Sequence, residues 1–259
     1  MNEISSAERR CVIIPSYNSG KLLKQTVSEV LALCKKVIVV IDGSTDESSD
    51  TLASLIVLEP TLHLLTLPQN QGKGAAVLKG MEFAATLNFT HAIVFDADGQ
   101  HAAYDIPRFM DASHAHPEAM ILGVPLFATN APALRVKGRL VGNWWTNLET
   151  LWGGVQDSLY GFRLYPINAS LSILKNIHGG RRFDFDTQLA VRLYWSGVPP
   201  LNLPTRVEYK ERSAGGVSHF HYLRDNLLLV SVHTQLTLQA ILFLPHLLRL
   251  RKRPELHFP

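Results

Sequence analysis

The chain has 259 residues, enough for one large α/β domain with an extension, or for two small domains. A composition of 46% hydrophobic and 18% charged residues excludes a disordered chain, and a net charge of +3 is too small to argue for a nucleic-acid partner. Two cysteines, Cys11 and Cys34, cannot build a disulfide framework and read as reduced packing thiols of a cytoplasmic protein. The polar opening MNEISSAERR does not read as a signal peptide.

The elements alternate from the start. CVIIP (11–15) is an apolar, β-branched run ending at proline, and reads as a buried strand. Residues 20–34 carry apolar side chains at helical spacing, and VIVVID (37–42) is a second buried strand. A helix with N-cap chemistry at Ser44 or Asp46 is expected next, then a strand at 62–67, a helix at 72–87 and a fourth strand running to the acids at 91–98. Strands apolar throughout, separated by helices, predict a mainly parallel twisted sheet with helices on both faces. Beyond residue 104 a strand at 120–124, a helix through Trp144 and Leu151, and a loop leading into a strand over 157–166 are expected. A helix from Asp186 to Ser196 and a strand at 201–209 follow, and a helical C-terminal extension is expected after 222. We expect one catalytic domain over 1–222 and an extension over 223–259.

Ligands of parallel sheets bind at the carboxyl ends of the strands, and each candidate motif falls at such an end. Asp96-Ala97-Asp98-Gly99-Gln100-His101 follows strand four. On a strand, carboxylates at i and i+2 share a face only if the chain turns, and Gly99 permits that turn. Hard oxygen ligands of this kind suit Mg²⁺ or Mn²⁺ bridging a diphosphate. The plain alternative is an acidic turn before a helix capped by Asp105. Asp42-Gly43-Ser44-Thr45-Asp46 ends strand two, with Asp42 placed to accept hydrogen bonds from a base or ribose. Gly72-Lys73-Gly74 opens a helix after strand three, where free N–H groups and a lysine suit an anion; the P-loop spacing is absent.

Taken in order, Pro15-Ser16-Tyr17-Asn18, the Asp42–Asp46 segment, Gly72-Lys73-Gly74 and the Asp96–His101 segment resemble the inverting family 2 glycosyltransferases. The dolichyl- and polyprenyl-phosphate sugar synthases are the nearest subgroup in pattern. The likeness continues through Asp157–Arg163, Phe183–Asp186 and Arg212 to Ser218-His219, covering about residues 11–220. It implies the GT-A fold, a nucleoside-diphosphate sugar donor, and Mg²⁺ or Mn²⁺. It further implies that Pro15, Tyr17, Asn18 and Asp42 line the base and ribose pocket. Gly72 and Lys73 would face the nucleotide, Asp96, Asp98 and Gln100 would surround the metal, and Arg212 would reach the donor phosphates. Two departures remove positive charge from the acceptor side: Gly123 is followed by Val124-Pro125 rather than arginine, and the later loop ends Ser218-His219 rather than Ser-Lys.

The acceptor decides whether a base is needed. A hydroxyl must lose its proton during attack, whereas a phosphate monoester, with a second pKa of about 6, arrives ionised. Asp157 and Asp184 are the expected acceptor-side carboxylates, with Asp186 as a helix cap and Arg135, Lys137 and Arg139 near enough in sequence to cover an anion. Residues 226–250 are leucine-rich, are interrupted by His233, Gln235, Gln239 and Pro245, and lead into basic residues through 253. They are expected to pack on the domain, form a dimer contact, or touch the inner face of a membrane, rather than span one. The expected acceptor is lipid-linked or a small molecule. A sugar-phosphate nucleotidyltransferase is the first competing reading, but its glycine-rich basic loop after strand one is missing. A non-catalytic nucleotide-sugar-binding protein is the second, and the retained carboxylates speak against it.

Overall fold

The structure, a computed structural model, describes residues 9–127, 133–177, 179, 182, 184–207 and 222–259. Its centre is a seven-stranded sheet in the order β3-β2-β1-β4-β6-β5-β7. The strands are β1 (Arg10–Ser16), β2 (Val37–Asp42), β3 (Leu62–Leu67), β4 (His91–Val94), β5 (Met120–Leu126), β6 (Arg163–Pro166) and β7 (Pro200–Arg206). The helices are α1 (Gly20–Leu31), α2 (Ala53–Leu58), α3 (Lys73–Thr86), α4 (Ile106–Ala115), α5 (Ala133–Glu149), α6 (Ile167–Leu174), α7 (Phe185–Trp195), α8 (Tyr222–Leu242) and α9 (Leu244–Leu250).

β1 and β2 are buried at every position, as strands covered on both faces must be. Alternate β1 residues feed two cores. Val12 and Ile14 join Leu23 and Val27 of α1 and Phe109 of α4, while Cys11 and Ile13 join Ala76, Val77 and Met81 of α3. β1 pairs in parallel with β2 and β4, β2 with β3, and β5 with β7. β6 runs antiparallel to both of its neighbours, β4 and β5. That reversal carries the start of β6 to the edge where the parallel strands end.

Several local expectations change. β4 stops at Val94; the Phe95 N–H still donates to Ile13 O of β1 (3.0 Å), and the acids fall on the turn beyond. The segment after β2 does not cap its following helix. Asp46 Oδ2 and Ser48 Oγ instead accept the Gly20 N–H (both 2.9 Å), and Ser44 Oγ accepts the Asn18 N–H (3.0 Å), which ties the β2 loop to the start of α1. Asp105 stands at the α4 N-cap without a side-chain cap bond; its carboxylate accepts from the Thr205 hydroxyl. Asp184, rather than Asp186, occupies the α7 N-cap position. Helix α6, which proline-bounded residues 167–174 did not announce, packs against α3 and α7.

The C-terminal helices belong to the same core as the sheet: Val232, Leu236 and Ala240 of α8 and Leu247 and Leu250 of α9 are buried with Ile13, Val94 and Leu189. Between α5 and α8, Glu149 is fully buried and its Oε1 meets His233 Nδ1 at 2.9 Å. Taking away one member of a buried pair leaves the other desolvated without compensation. His233→Leu is therefore expected to lower stability by about 3 kcal/mol, read as a shift of the urea midpoint without a change in slope.

Candidate functional site

Four loops meet at the carboxyl edge of β1, β2, β3 and β4. Asp42, the last residue of β2, is 2% exposed. Its Oδ1 accepts the Gln71 N–H (2.8 Å) and its Oδ2 the Gly72 N–H (2.7 Å), so it fixes the loop that opens α3. The next residue, Lys73, reaches across to two carboxylates. Its Nζ lies 2.8 Å from Asp96 Oδ1 and 2.8 Å from Asp186 Oδ2, with the lysine side chain 16% exposed. One ammonium thus joins the start of α3, the turn after β4 and the first turn of α7.

Gly161 closes this contact. A Cβ there would fall on the Asp96 carboxylate and the Lys73 ammonium, so only glycine lets the loop pass over the pair. The loop is held from below by Arg163, which is fully buried. Arg163 donates to the carbonyls of Tyr160 (2.6 Å), Asp157 (3.1 Å) and Asp186 (2.6 Å) and to the Tyr165 hydroxyl (3.0 Å). It therefore sets the backbone of both the Asp157–Gly161 loop and the start of α7.

The turn after β4 bends at Gly99 (φ +68°), as the i, i+2 acid spacing required. Asp98 Oδ1 accepts the Gln100 N–H at 3.0 Å, and Gln100 itself is half-buried. Burial first, and the neighbouring Asp96 charge second, push the Asp98 carboxyl up to about 6. Burial also acts to raise Asp96, but Lys73, and after it His101, outweigh it and hold that carboxyl below its ordinary value. His101 Nδ1 accepts the Asp96 N–H (3.1 Å), which places its proton on Nε2, 3.6 Å from Asp96 Oδ2.

The other expected residues are placed as follows. Pro15 ends up buried in β1, and Tyr17 and Asn18 lie half-buried on the loop beyond it. Asn18 (φ +47°) accepts the Thr45 N–H on its Oδ1 at 2.9 Å, binding the β1 and β2 loops together. Asp157 is held in the Asp157–Gly161 loop: Oδ1 takes Arg139 Nη1 (2.6 Å) and the N–H groups of Leu159 and Tyr160, and Oδ2 takes Asn143 Nδ2 (3.0 Å). Asp184 accepts the Arg182 N–H and Gln188 Nε2, both at 3.0 Å. Arg212 lies outside the described residues, as do Ser218 and His219. Asp186, Gly161 and Arg163 are the central residues that residue-level reasoning did not single out as site residues. Asp186 Oδ1 is buried with no hydrogen-bond partner among the described residues.

Among the described residues no cluster of three His, Cys, Asp or Glu side chains is arranged to hold a metal. What the site offers a cation is an open edge: Asp98, without an ion-pair partner among the described residues, next to Asp96. A carboxyl held up to about 6 by burial first and a neighbouring negative charge second gains from any cation placed beside that charge. The donor set fits a hard ion that takes its remaining ligands from a diphosphate and water.

Burial pushes His101 down to about 4, so it is neutral in the fold and charged in the unfolded chain below about 6.5. The unfolded chain then binds the extra proton, and stability falls as pH drops from 6.5 toward 4. About 2 kcal/mol is expected to be lost by pH 5 through this residue, a part that His101→Gln should abolish in denaturation curves at pH 7.5 and 5.

The family profile described as Glycosyl transferase family 2 matches residues 11–168, more than half of the chain and including β1 to β6 with the Asp96–Asp98 turn. A relative, polyprenol monophosphomannose synthase of Mycolicibacterium smegmatis, is 26% identical over 227 residues, covering 82% of this chain and 81% of the relative. UDP-N-acetylglucosamine–dolichyl-phosphate N-acetylglucosaminyltransferase of Methanococcus voltae is 28% identical over 221 residues, covering 78% and 86%. Among solved structures, glucosyl-3-phosphoglycerate synthase of Mycobacterium tuberculosis, crystallised with Mn²⁺, UDP-glucose and phosphoglyceric acid, aligns with a TM-score of 0.60 at 16% identity. That alignment covers 95% of this chain and 80% of the synthase and shows a shared GT-A fold. The chain belongs to glycosyl transferase family 2 and is a glycosyltransferase of GT-A fold.

Proposed function

We propose that the protein transfers a sugar from a nucleoside-diphosphate sugar, with inversion at the anomeric carbon, to a polyprenyl- or dolichyl-type lipid phosphate or another small acceptor. The observation that carries this reading is the Lys73 ammonium shared by Asp96 and Asp186 beside Asp98, at the carboxyl edge of the parallel strands. The named activities of the polyprenyl- and dolichyl-phosphate relatives support the acceptor class.

In this reading Pro15, Tyr17 and Asn18 form the base and ribose side, and Asp42 acts through the loop that it holds. Gly72 and Lys73 bring a helix N-terminus and a positive charge toward the diphosphate. Asp96, Asp98 and Gln100 would hold Mg²⁺ or Mn²⁺, whose charge offsets that of the departing nucleoside diphosphate. Arg212 would add a bidentate contact to the donor phosphates. Asp157 and Asp184 position the acceptor loop and the α7 start through their hydrogen bonds, and Asp186, with one oxygen unpartnered, is the carboxylate left to receive an acceptor proton. A phosphate acceptor makes that transfer unnecessary.

Thermal-shift titration tests the donor reading: UDP or GDP should raise Tm more with Mn²⁺ than without it. Stabilisation only by a nucleoside triphosphate together with a sugar phosphate would instead indicate nucleotide-sugar synthesis. Asp98→Asn deletes charge with little volume and should lower turnover about 100-fold or more with an unchanged Tm. With a hydroxyl acceptor Asp186→Asn should lower kcat by about 100-fold or more, whereas Asp184→Asn should act mainly on stability.

No single helix among the described residues is long and apolar enough to cross a membrane; α8 and α9 are bent by 87° against each other. Their outer side nevertheless exposes Val230, Leu238, Ile241, Leu242, Phe243, Leu244 and Leu248, and the neighbouring α5 exposes Leu140, Val141 and Trp144. Arg249, Arg251, Lys252 and Arg253 follow. An apolar face with a basic end suits the cytoplasmic surface of an anionic bilayer, and we read the extension over 223–259 as a peripheral contact of the transferase domain with the membrane that carries its acceptor. Co-sedimentation with phosphatidylglycerol vesicles should fall about tenfold in Leu238→Glu/Ile241→Glu, at unchanged Tm.

A further inference from the structure

The opposite edge of the sheet holds a second concave site. Parallel strands β5 and β7 begin there, with Met120 paired to Pro200. The segment from Trp152 to Gln156 and the C-terminal tail beyond α9 wall a cavity of about 140 Å³ against the end of α7. Its polar lining includes Tyr194, Arg251, Arg253, His257 and Asn202, with Glu255 as the one acid among the lining residues.

Three observations make this a built site rather than a surface dent. Tyr194 is 5% exposed, and its buried hydroxyl has no hydrogen-bond partner among the described residues. Leaving such a donor unmatched costs about 1–3 kcal/mol unless a ligand or water takes it. The Arg253 side chain, though exposed, is anchored, since its Nη1 donates to Gly197 O at 2.7 Å. Arg251 lines the same cavity as Arg253 and Tyr194; burial raises the Tyr194 phenol, while the charges of Arg253 and then Arg251 act to lower it. Two guanidinium groups and a phenol O–H against one carboxylate select an oxyanion. The volume is below the roughly 300 Å³ of a drug-sized ligand site, so a nucleotide sugar is too large.

The wall of the cavity also leads toward the catalytic edge. Asn202 Nδ2 donates to Gly154 O (2.7 Å), and Asn202 Oδ1 accepts the Gln156 N–H (3.4 Å) one residue before Asp157. Leu151 (φ +49°) and Trp152 (φ +57°) hold consecutive left-handed conformations, unusual for bulky side chains, where α5 turns into this wall.

We propose that this cavity is a second ligand site for a small phosphate group, bound by Arg251, Arg253 and the Tyr194 hydroxyl, at the edge of the sheet away from the Lys73 cluster. The test titrates the intact chain with inorganic phosphate and with glycerol 3-phosphate at constant ionic strength, following Tm and tryptophan fluorescence. Saturable binding is expected in the wild type and in Lys73→Met, with affinity about tenfold weaker in Arg251→Gln and in Tyr194→Phe. The fluorescence response should vanish in Trp152→Phe while the Tm response remains. Tighter binding of glycerol 3-phosphate than of phosphate identifies a monoester ligand, and equal binding identifies free phosphate. Because Arg253 also holds Gly197, Arg251→Gln and Tyr194→Phe carry the test if Arg253→Gln does not fold. The proposal is overturned by unsaturable binding in the wild type. It is equally overturned by equal affinity in the Arg251 and Tyr194 variants, or by binding lost in Lys73→Met and kept in Arg251→Gln.

Discussion

One ammonium shared between two carboxylates holds the active edge of this molecule together. Lys73 sits at the first turn of α3, Asp96 on the turn after β4 and Asp186 in the first turn of α7, residues 113 apart at the extremes. Removing three charges from water is unfavourable, and the arrangement persists because each partner is positioned by other contacts. Asp42 fixes the loop before Lys73, Arg163 fixes the backbone at Asp186, and His101 bonds the Asp96 N–H. The chain thereby keeps an excess of carboxylate over ammonium at the sheet edge, which is the electrostatic basis of the proposed cation and diphosphate site.

The same economy of contacts governs the loops around it. The β1 and β2 loops are bonded to each other through Asn18, Ser44, Asp46 and Ser48, so that the proposed base and ribose side is one unit rather than two flexible turns. On the other side, Asp157 and Asn143 couple α5 to the loop that Gly161 completes. Residues with acidic side chains thus divide into two kinds. Asp42, Asp157 and Asp184 accept from backbone or side-chain donors that shape loops, while Asp96 and Asp186 share a single lysine, with Asp98 on the same turn as Asp96.

The first hundred residues were legible because strand burial on both faces leaves an unbroken apolar run, and β2 and β3 have the bounds their composition predicts. The turn at Gly99 and the placement of the acids at a strand terminus were legible for the same reason. What was hidden depends on long-range pairing. A four-residue β6 carries no mark of its direction, and its antiparallel pairing follows from where α5 returns the chain. The expectation that Asp186 caps α7 rested on local chemistry, but the helix begins one residue earlier, and a lysine 113 positions away takes the side chain instead. The role of Arg163 was equally invisible: a buried guanidinium satisfied by three carbonyls and a phenol leaves no acidic partner in the sequence to point to it.

The reversed strand has a consequence for how such a chain can diversify. Because β6 enters the sheet from the far side, the residues that precede it reach the same rim as residues from the first half of the chain. The connection that delivers them, α5 and the segment around it, lies outside the sheet. The residues of the proposed donor side and of the proposed acceptor side are therefore written in separate stretches of sequence.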